Sequence, residues 1–255
     1  MKAGAFVAVI IMGNLLRRAG FFKEEDFYVL SKIVLKITLP AAIISNFSGI
    51  DLKPSMLVMT LLGFGGGILY ITMAFFMSIG KEREERAFNV LNLPGYNIGN
   101  FTMPFAQSFL GPVGVVATSL FDTGNAFVCL GGAYSVAVVT KEKNARFSLL
   151  PVVKTLLKSL PFDAYLFMTV LSFLHVALPA PITSFTGVIG NANAFMAMLM
   201  IGVGFKLNGD SSQPGKIVRI LAARYSLAII LALVFYFLLP FGIEYRQALT
   251  ILALS

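Results

Sequence analysis

Long apolar runs alternate with short polar breaks along the whole chain. A bilayer core of about 30 Å takes roughly 20 apolar residues as helix. On that rule the pattern predicts eight segments, at 3–20, 26–48, 54–79, 86–110, 113–139, 150–178, 181–206 and 216–240. A shorter apolar piece runs from 243 to Ser255 and predicts the start of a further segment. The polar linker TKEKNARFS, 140–148, divides a first part, 1–139, from a second, 149–255. Five segments precede the linker. An odd number of spans per half means that a second half of the same fold is inverted, and inverted repeats are common in secondary transporters. The expected architecture is all-α and polytopic, with inverted five-helix repeats. It is a ten-helix plan from which the last one to two helices are missing. The apolar run reaching Ser255 without a polar tail is read as the mark of an incomplete chain.

Charge sharpens this picture. The loops after segments one, three, five and seven hold Arg17, Arg18 and Lys23; Lys81, Arg83 and Arg86; Lys141, Lys143, Arg146, Lys154 and Lys158; and Lys206, Lys216 and Arg219. The intervening loops hold only Lys53 and Arg246. By the positive-inside rule the first set faces the cytoplasm and the N-terminus faces out. The expected location is the inner (plasma) membrane, multi-pass. The first run precedes Arg17 and Arg18, whereas a cleavable signal carries its charge ahead of its apolar stretch, so no separate signal peptide is expected.

Composition then narrows the function classes. Hydrophobic residues make up 57% of the 255 and charged residues only 13%, with a net charge of +8. Soluble domains carry roughly 25% charged residues, so a disordered chain and a soluble DNA-binding domain are both excluded. The basic excess belongs to loops, and no nucleic-acid partner is expected. One His, His175, and one Cys, Cys129, build neither a metal cluster nor a disulfide scaffold. No metal, no cofactor and no catalytic residues are expected.

Segment four carries the most unusual chemistry. Asn92, Pro94, Gly95, Asn97, Gly99, Asn100 and Pro104 all fall within one span. Proline removes a backbone donor and clashes with the preceding turn. In hydrocarbon, broken helix is tolerated only where it is buried or lines a cavity. Freed backbone groups and the amides of Asn97 and Asn100 would make a polar binding point, with Pro104 part of the break; the alternative is a plain proline kink between helices. Asp122 and Asn125 lie three apart on one face of segment five. An ionisable group within a span is a functional-site hypothesis by default, so Asp122 is the candidate for proton or ion coupling, the alternative being a residue near the outer membrane surface. Pro40 predicts a kink in segment two, followed by Ser45 and Asn46. Lys32 and Lys36 read as interface anchors there. Gly190, Asn191 and Asn193 suit close helix packing, with Asn193 a candidate cavity residue. The Gly63–Gly67 run has no phosphate-loop context and reads as helix packing. Arg224 is expected to snorkel to the membrane surface.

These residues resemble the auxin efflux carrier family, bacterial organic-acid permease type. The likeness runs over nearly the whole chain. It rests on Leu15-Leu16-Arg17-Arg18-Ala19-Gly20, Leu30-Ser31-Lys32 with Leu39-Pro40-Ala41, and the Asn97-to-Pro104 spacing. It rests also on Phe121-Asp122 with Asn125, and on Gly190-Asn191 with Ile201-Gly202. Phe195 and Met196 depart from a family that often has proline there. The resemblance implies ten helices in two inverted repeats, a scaffold and a moving domain, and crossed broken helices four and nine. Asn97 and Pro104 would belong to the first crossing, and the second would begin just past Ser255.

The expected function is secondary transport of a small organic anion, malonate- or malate-like, by an elevator-type movement. The substrate-binding set is Asn97, Asn100, Pro104, Asn46, Asn125 and Asn193. Expected partners are the anion, a proton or sodium ion, the lipid bilayer and a second copy in a homodimer. Two alternatives stay open: a sodium-coupled symporter of bile-acid type, and a membrane sensor or interaction module that binds without moving its ligand. An intramembrane enzyme is poorly supported, because the spans hold no paired catalytic carboxylates.

Overall fold

The computed structural model describes residues 2–48, 50, 52–142, 146–205 and 214–255. Lys143 and Lys206 of the basic loops lie outside them. Every described element is a helix. In order they are α1 (Lys2–Arg18), α2 (Asp26–Phe47), α3 (Pro54–Met77), α4 (Arg83–Asn92), α5 (98–110), α6 (112–141), α7 (Leu150–Leu156), α8 (Leu160–Phe173), α9 (Ala180–Gly204), α10 (Pro214–Phe237) and α11 (Ile243–Ala253).

Among the described residues, five helical stretches are long and apolar enough to cross a membrane: α2, α3, the run holding α5 and α6, α9 and α10. A sixth is added if α7 and α8, bent by 80° to each other, act as one span. Each of the expected eight segments contains helix, but segment four is interrupted at 93–97 and segment six is split between α7 and α8. At 17 residues, however, α1 is about 25 Å long and short of a full bilayer core. Large apolar side chains face outward all round the bundle, among them Val188 at 76% and Phe76 at 70% exposure. Faces of that kind suit a multi-pass membrane protein, whose surroundings are hydrocarbon.

The run from 98 to 141 is helical except at Gly111 and at Gly131, whose φ is 168° within a π-turn at Val128–Gly132. A straight helix would separate Tyr96 from Phe121 by roughly 37 Å, yet their ring centroids lie 5.5 Å apart. The chain therefore folds back at Gly111, whose φ of 61° and ψ of −149° lie in a region essentially closed to residues with a side chain. Pro112 then opens α6 at a position that has no use for a backbone donor. The reversal falls between the expected fourth and fifth segments.

Both singled-out prolines sit just after a widened turn. The backbone N–H of Leu39 donates to Val34 and that of Met103 to Ile98, each across five residues. A π-turn of this kind makes room for the Pro40 and Pro104 rings. Segment two is thus a continuous helix, and its expected kink takes the form of a local bulge.

Glycines set the helix contacts. A Cβ at Gly63 would come within 2.0 Å of the Phe121 carbonyl oxygen, and one at Gly124 within 1.8 Å of the Thr60 carbonyl, so α3 and α6 meet backbone to backbone. Gly13 and Gly202 join α1 to α9 in the same way, and Gly190 brings α9 against Ala42 of α2. The Gly63–Gly67 run and the Gly190 stretch are packing faces. Leu120, Phe121, Met103, Val115 and Val116 fill the core beside them, all fully buried.

The ends of the basic loops gather on one side. Arg17 donates to the Phe205 carbonyl at 2.8 Å. Arg219 donates to the Met77 carbonyl, and Lys141 pairs with Glu84 at 3.1 Å. From this side α2 runs away and α3 returns. Their connection lies at the far end, where Ser172 donates to the Ile50 carbonyl at 2.7 Å.

Gly124→Val should lower the thermal midpoint of the detergent-solubilised protein, because overpacking typically costs about 1–3 kcal/mol and here the clash is with backbone. Gly65→Ala, where no heavy atom lies within 4 Å of the added carbon, should leave the midpoint unchanged. Equal midpoints for the two variants would contradict the backbone-to-backbone contact.

Candidate functional site

Segment four is broken. Helix α4 ends at Asn92 and α5 begins at Ile98, and between them Gly95 takes a φ of 134° that favours glycine. The break contributes one wall of an interior cavity of about 230 Å³. Tyr96, Asn97, Gly99 and Asn100 form that wall; Asp122, Asn125, Ala126, Cys129 and Leu130 of α6 form the second. Leu35 and Leu39 of α2, with Ser159, Pro161, Phe162 and Tyr165 at the start of α8, close it. The fold-back at Gly111 creates this arrangement, since it lays the start of α5 beside the middle of α6.

A chain of polar side chains follows one face of α6. The Cys129 thiol donates to Asn125 Oδ1 at 3.0 Å, and Asn125 Nδ2 donates to Asp122 Oδ1 at 2.9 Å. The Tyr165 hydroxyl donates to Asp122 Oδ2 at 3.1 Å. Both carboxylate oxygens thus receive a neutral donor. Asp122 lies about 15 Å along α6 from its start, inside the bundle and on the cavity wall. Opposite stands Asn100, whose Oδ1 is buried and has no hydrogen-bond partner. A buried acceptor without a partner costs free energy unless something supplies a donor or a cation. The N-terminal end of α5, whose first amides have no partner within the helix, also borders this space.

Four of the residues singled out from the sequence therefore meet at one place: Asn97, Asn100, Asp122 and Asn125. Asn97 is exposed at the mouth of the break, and Asn125 is buried. The others lie elsewhere. Pro104 is buried one turn further along α5 and shapes the segment from behind. The Asn46 amide donates back to the Ala42 carbonyl of its own helix at 2.7 Å. Asn193, fully buried, accepts from the Thr38 hydroxyl at 2.9 Å in the contact between α2 and α9. Neither Asn46 nor Asn193 belongs to the cavity wall. Pro40 lies behind Leu39, which does.

Three contributors escape a reading of the sequence. Tyr165 and Phe162 sit in an apolar segment with nothing local to mark them. Cys129 follows Asn125 by one helical turn, a spacing that does place it on the same face. Arg224 of α10 is also placed differently from the expectation. It turns inward, and its guanidinium donates to the Gly95 carbonyl within the break and to the Ser255 carbonyl at 2.9 Å.

Among the described residues, no group of three or more His, Cys, Asp or Glu side chains gathers to hold a metal ion. The arrangement is one for binding through amides, a helix end and one carboxylate. Compared with protein-family models and with curated proteins, the chain matches none.

Because Cys129 is the one cysteine of the chain and lines the cavity, thiol labelling reports on access to it. A small neutral thiol reagent should modify the natively folded protein once, as read by intact mass. Labelling seen only after denaturation would contradict an open cavity at this face of α6.

Proposed function

We propose that this chain is a secondary carrier of small organic anions, of the auxin efflux carrier type. The observation that carries the reading is the broken segment. Its break, its two asparagines and the facing Asp122 line one interior cavity of a helical bundle. Discontinuous helices whose N-terminal ends face a midplane cavity are a recurrent way to bind anionic substrate groups in transporters. The free α5 end and the Asn97 amide would hold a carboxylate. Asp122 would exchange a proton or a cation with it, with Asn125, Tyr165 and Cys129 the polar groups around that carboxylate.

The order of elements supports an inverted-repeat plan. Helices α3 and α10 are each 24 residues long. Before them stand α2 and α9, of 22 and 25 residues. A pair of long helices thus stands on each side of the linker. The gathering of basic loop ends on one side supports a cytoplasmic face there. Elevator-type movement and a homodimer belong to the same proposal.

The oxygens of Asp122 and Asn100 would equally accept sodium, which favours a sodium-coupled carrier as the second reading. Replacing external sodium with choline distinguishes them: uptake that persists speaks for proton coupling, and uptake that stops speaks for sodium.

Malonate uptake into proteoliposomes tests the proposal. Asn97→Ala should raise the half-saturating malonate concentration about tenfold, the loss expected for one hydrogen bond to a charged ligand. Asp122→Asn should abolish the dependence of uptake on external pH. Unchanged affinity in the first variant and an unchanged pH profile in the second would overturn the assigned roles.

A further inference from the structure

We infer that Arg224 is the positioning residue of the broken segment: it holds the chain just past the end of α4 in place behind the cavity wall. This rests on the proposed binding role of the break. Arg224 stands about 15 Å into α10, counted from Pro214, far from the ends where a basic side chain reaches water. Its Nη2 donates both to the Gly95 carbonyl, just past α4, and to the Ser255 carbonyl, just past α11. Gly95 lies beyond the C-terminal end of α4, where unpaired carbonyls and the negative end of the helix dipole collect. A delocalised, always charged guanidinium with several donors suits such an end better than any neutral side chain.

The packing around Arg224 points the same way. Tyr70 of α3 donates its hydroxyl to the Arg224 backbone carbonyl at 3.3 Å. The Tyr70 and Tyr96 rings meet edge to face at 5.6 Å, and Tyr96 in turn packs against Phe121. Tyr96 therefore stands between Arg224 and the cavity. The arginine acts through the backbone of 93–97, and its charge fixes the α4 side of the break. That leaves the N-terminal end of α5, with Asn97 and Asn100, turned toward the ligand space.

Hydrogen–deuterium exchange on the full chain, with malonate uptake beside it, separates this inference from the carrier reading. Arg224→Gln should raise amide exchange in peptides covering 93–100 about tenfold and leave the contact of α1 with α9 unchanged. It should also raise the half-saturating malonate concentration. Arg224→Lys, which keeps the charge but loses the fork, should fall between the wild type and the Gln variant in both. Should the Gln variant fail to fold, Gly95→Ala perturbs the same segment by strain alone, since no atom lies within 4 Å of the added carbon; it should reproduce the local increase in exchange. Exchange at 93–100 equal to wild type in folded Arg224→Gln, or in Arg224→Lys where the Gln variant does not fold, overturns the positioning role. No malonate uptake by the wild type overturns the carrier reading instead, and the exchange result then judges Arg224 by itself.

Discussion

Backbone polar groups in hydrocarbon have no water to turn to, so a helix may be interrupted only where protein satisfies what the interruption frees. Segment four is interrupted at 93–97, and the rest of the bundle is arranged around that fact. Arg224 binds the Gly95 carbonyl on one side of the break. The fold-back at Gly111 brings α6 and its polar face to the other. Glycines 63 and 124 then let α3 lie against α6 at backbone distance, which seals the wall that carries Asp122, Asn125 and Cys129. The same constraint explains why the prolines are tolerated. Pro40 and Pro104 each follow a π-turn, so each ring is housed by a local change of pitch and the helix continues.

Much of this was legible in the sequence because hydrocarbon imposes a simple rule on composition. The apolar runs of about 20 residues mark the helices, and the cluster of prolines, glycines and asparagines marks the break. The three-residue spacing of Asp122 and Asn125 places them on one face. Distant partners were not legible. Tyr165 meets Asp122 only through the packing of α8, more than forty residues away in sequence. Asn193 looks like a cavity residue in the sequence because it is polar within a span, but Thr38 of α2 takes up its Oδ1, and its buried Nδ2 has no partner among the described residues. Asn46 likewise turns back on its own helix. A polar residue in a span has two ways to be satisfied, a neighbour or a ligand, and spacing within one segment does not decide between them. Arg224 illustrates the same point: the snorkelling expected of a lone basic side chain gives way to acceptors supplied by two other elements.

The proposed carrier site combines features that pull in different electrostatic directions, a combination that would couple the binding of two ions. A helix end and amides attract an anion, whereas the Asp122 carboxylate repels it unless a proton or cation arrives as well. Anion and cation are then favourable together and less favourable apart, which is the thermodynamic content of coupling. The two carboxylate oxygens each hold a neutral donor, so the carboxylate is anchored without a permanent counter-charge from Asn125 or Tyr165.

The most direct measurement of the central claim is ligand protection of Cys129. Its rate of modification by a small methanethiosulfonate reagent would be followed in the purified protein over a series of malonate concentrations. The account expects the rate to fall saturably as malonate fills the cavity, and the protection to weaken in Asn97→Ala. A rate independent of malonate, with Cys129 reacting freely, would contradict a binding site at the broken segment.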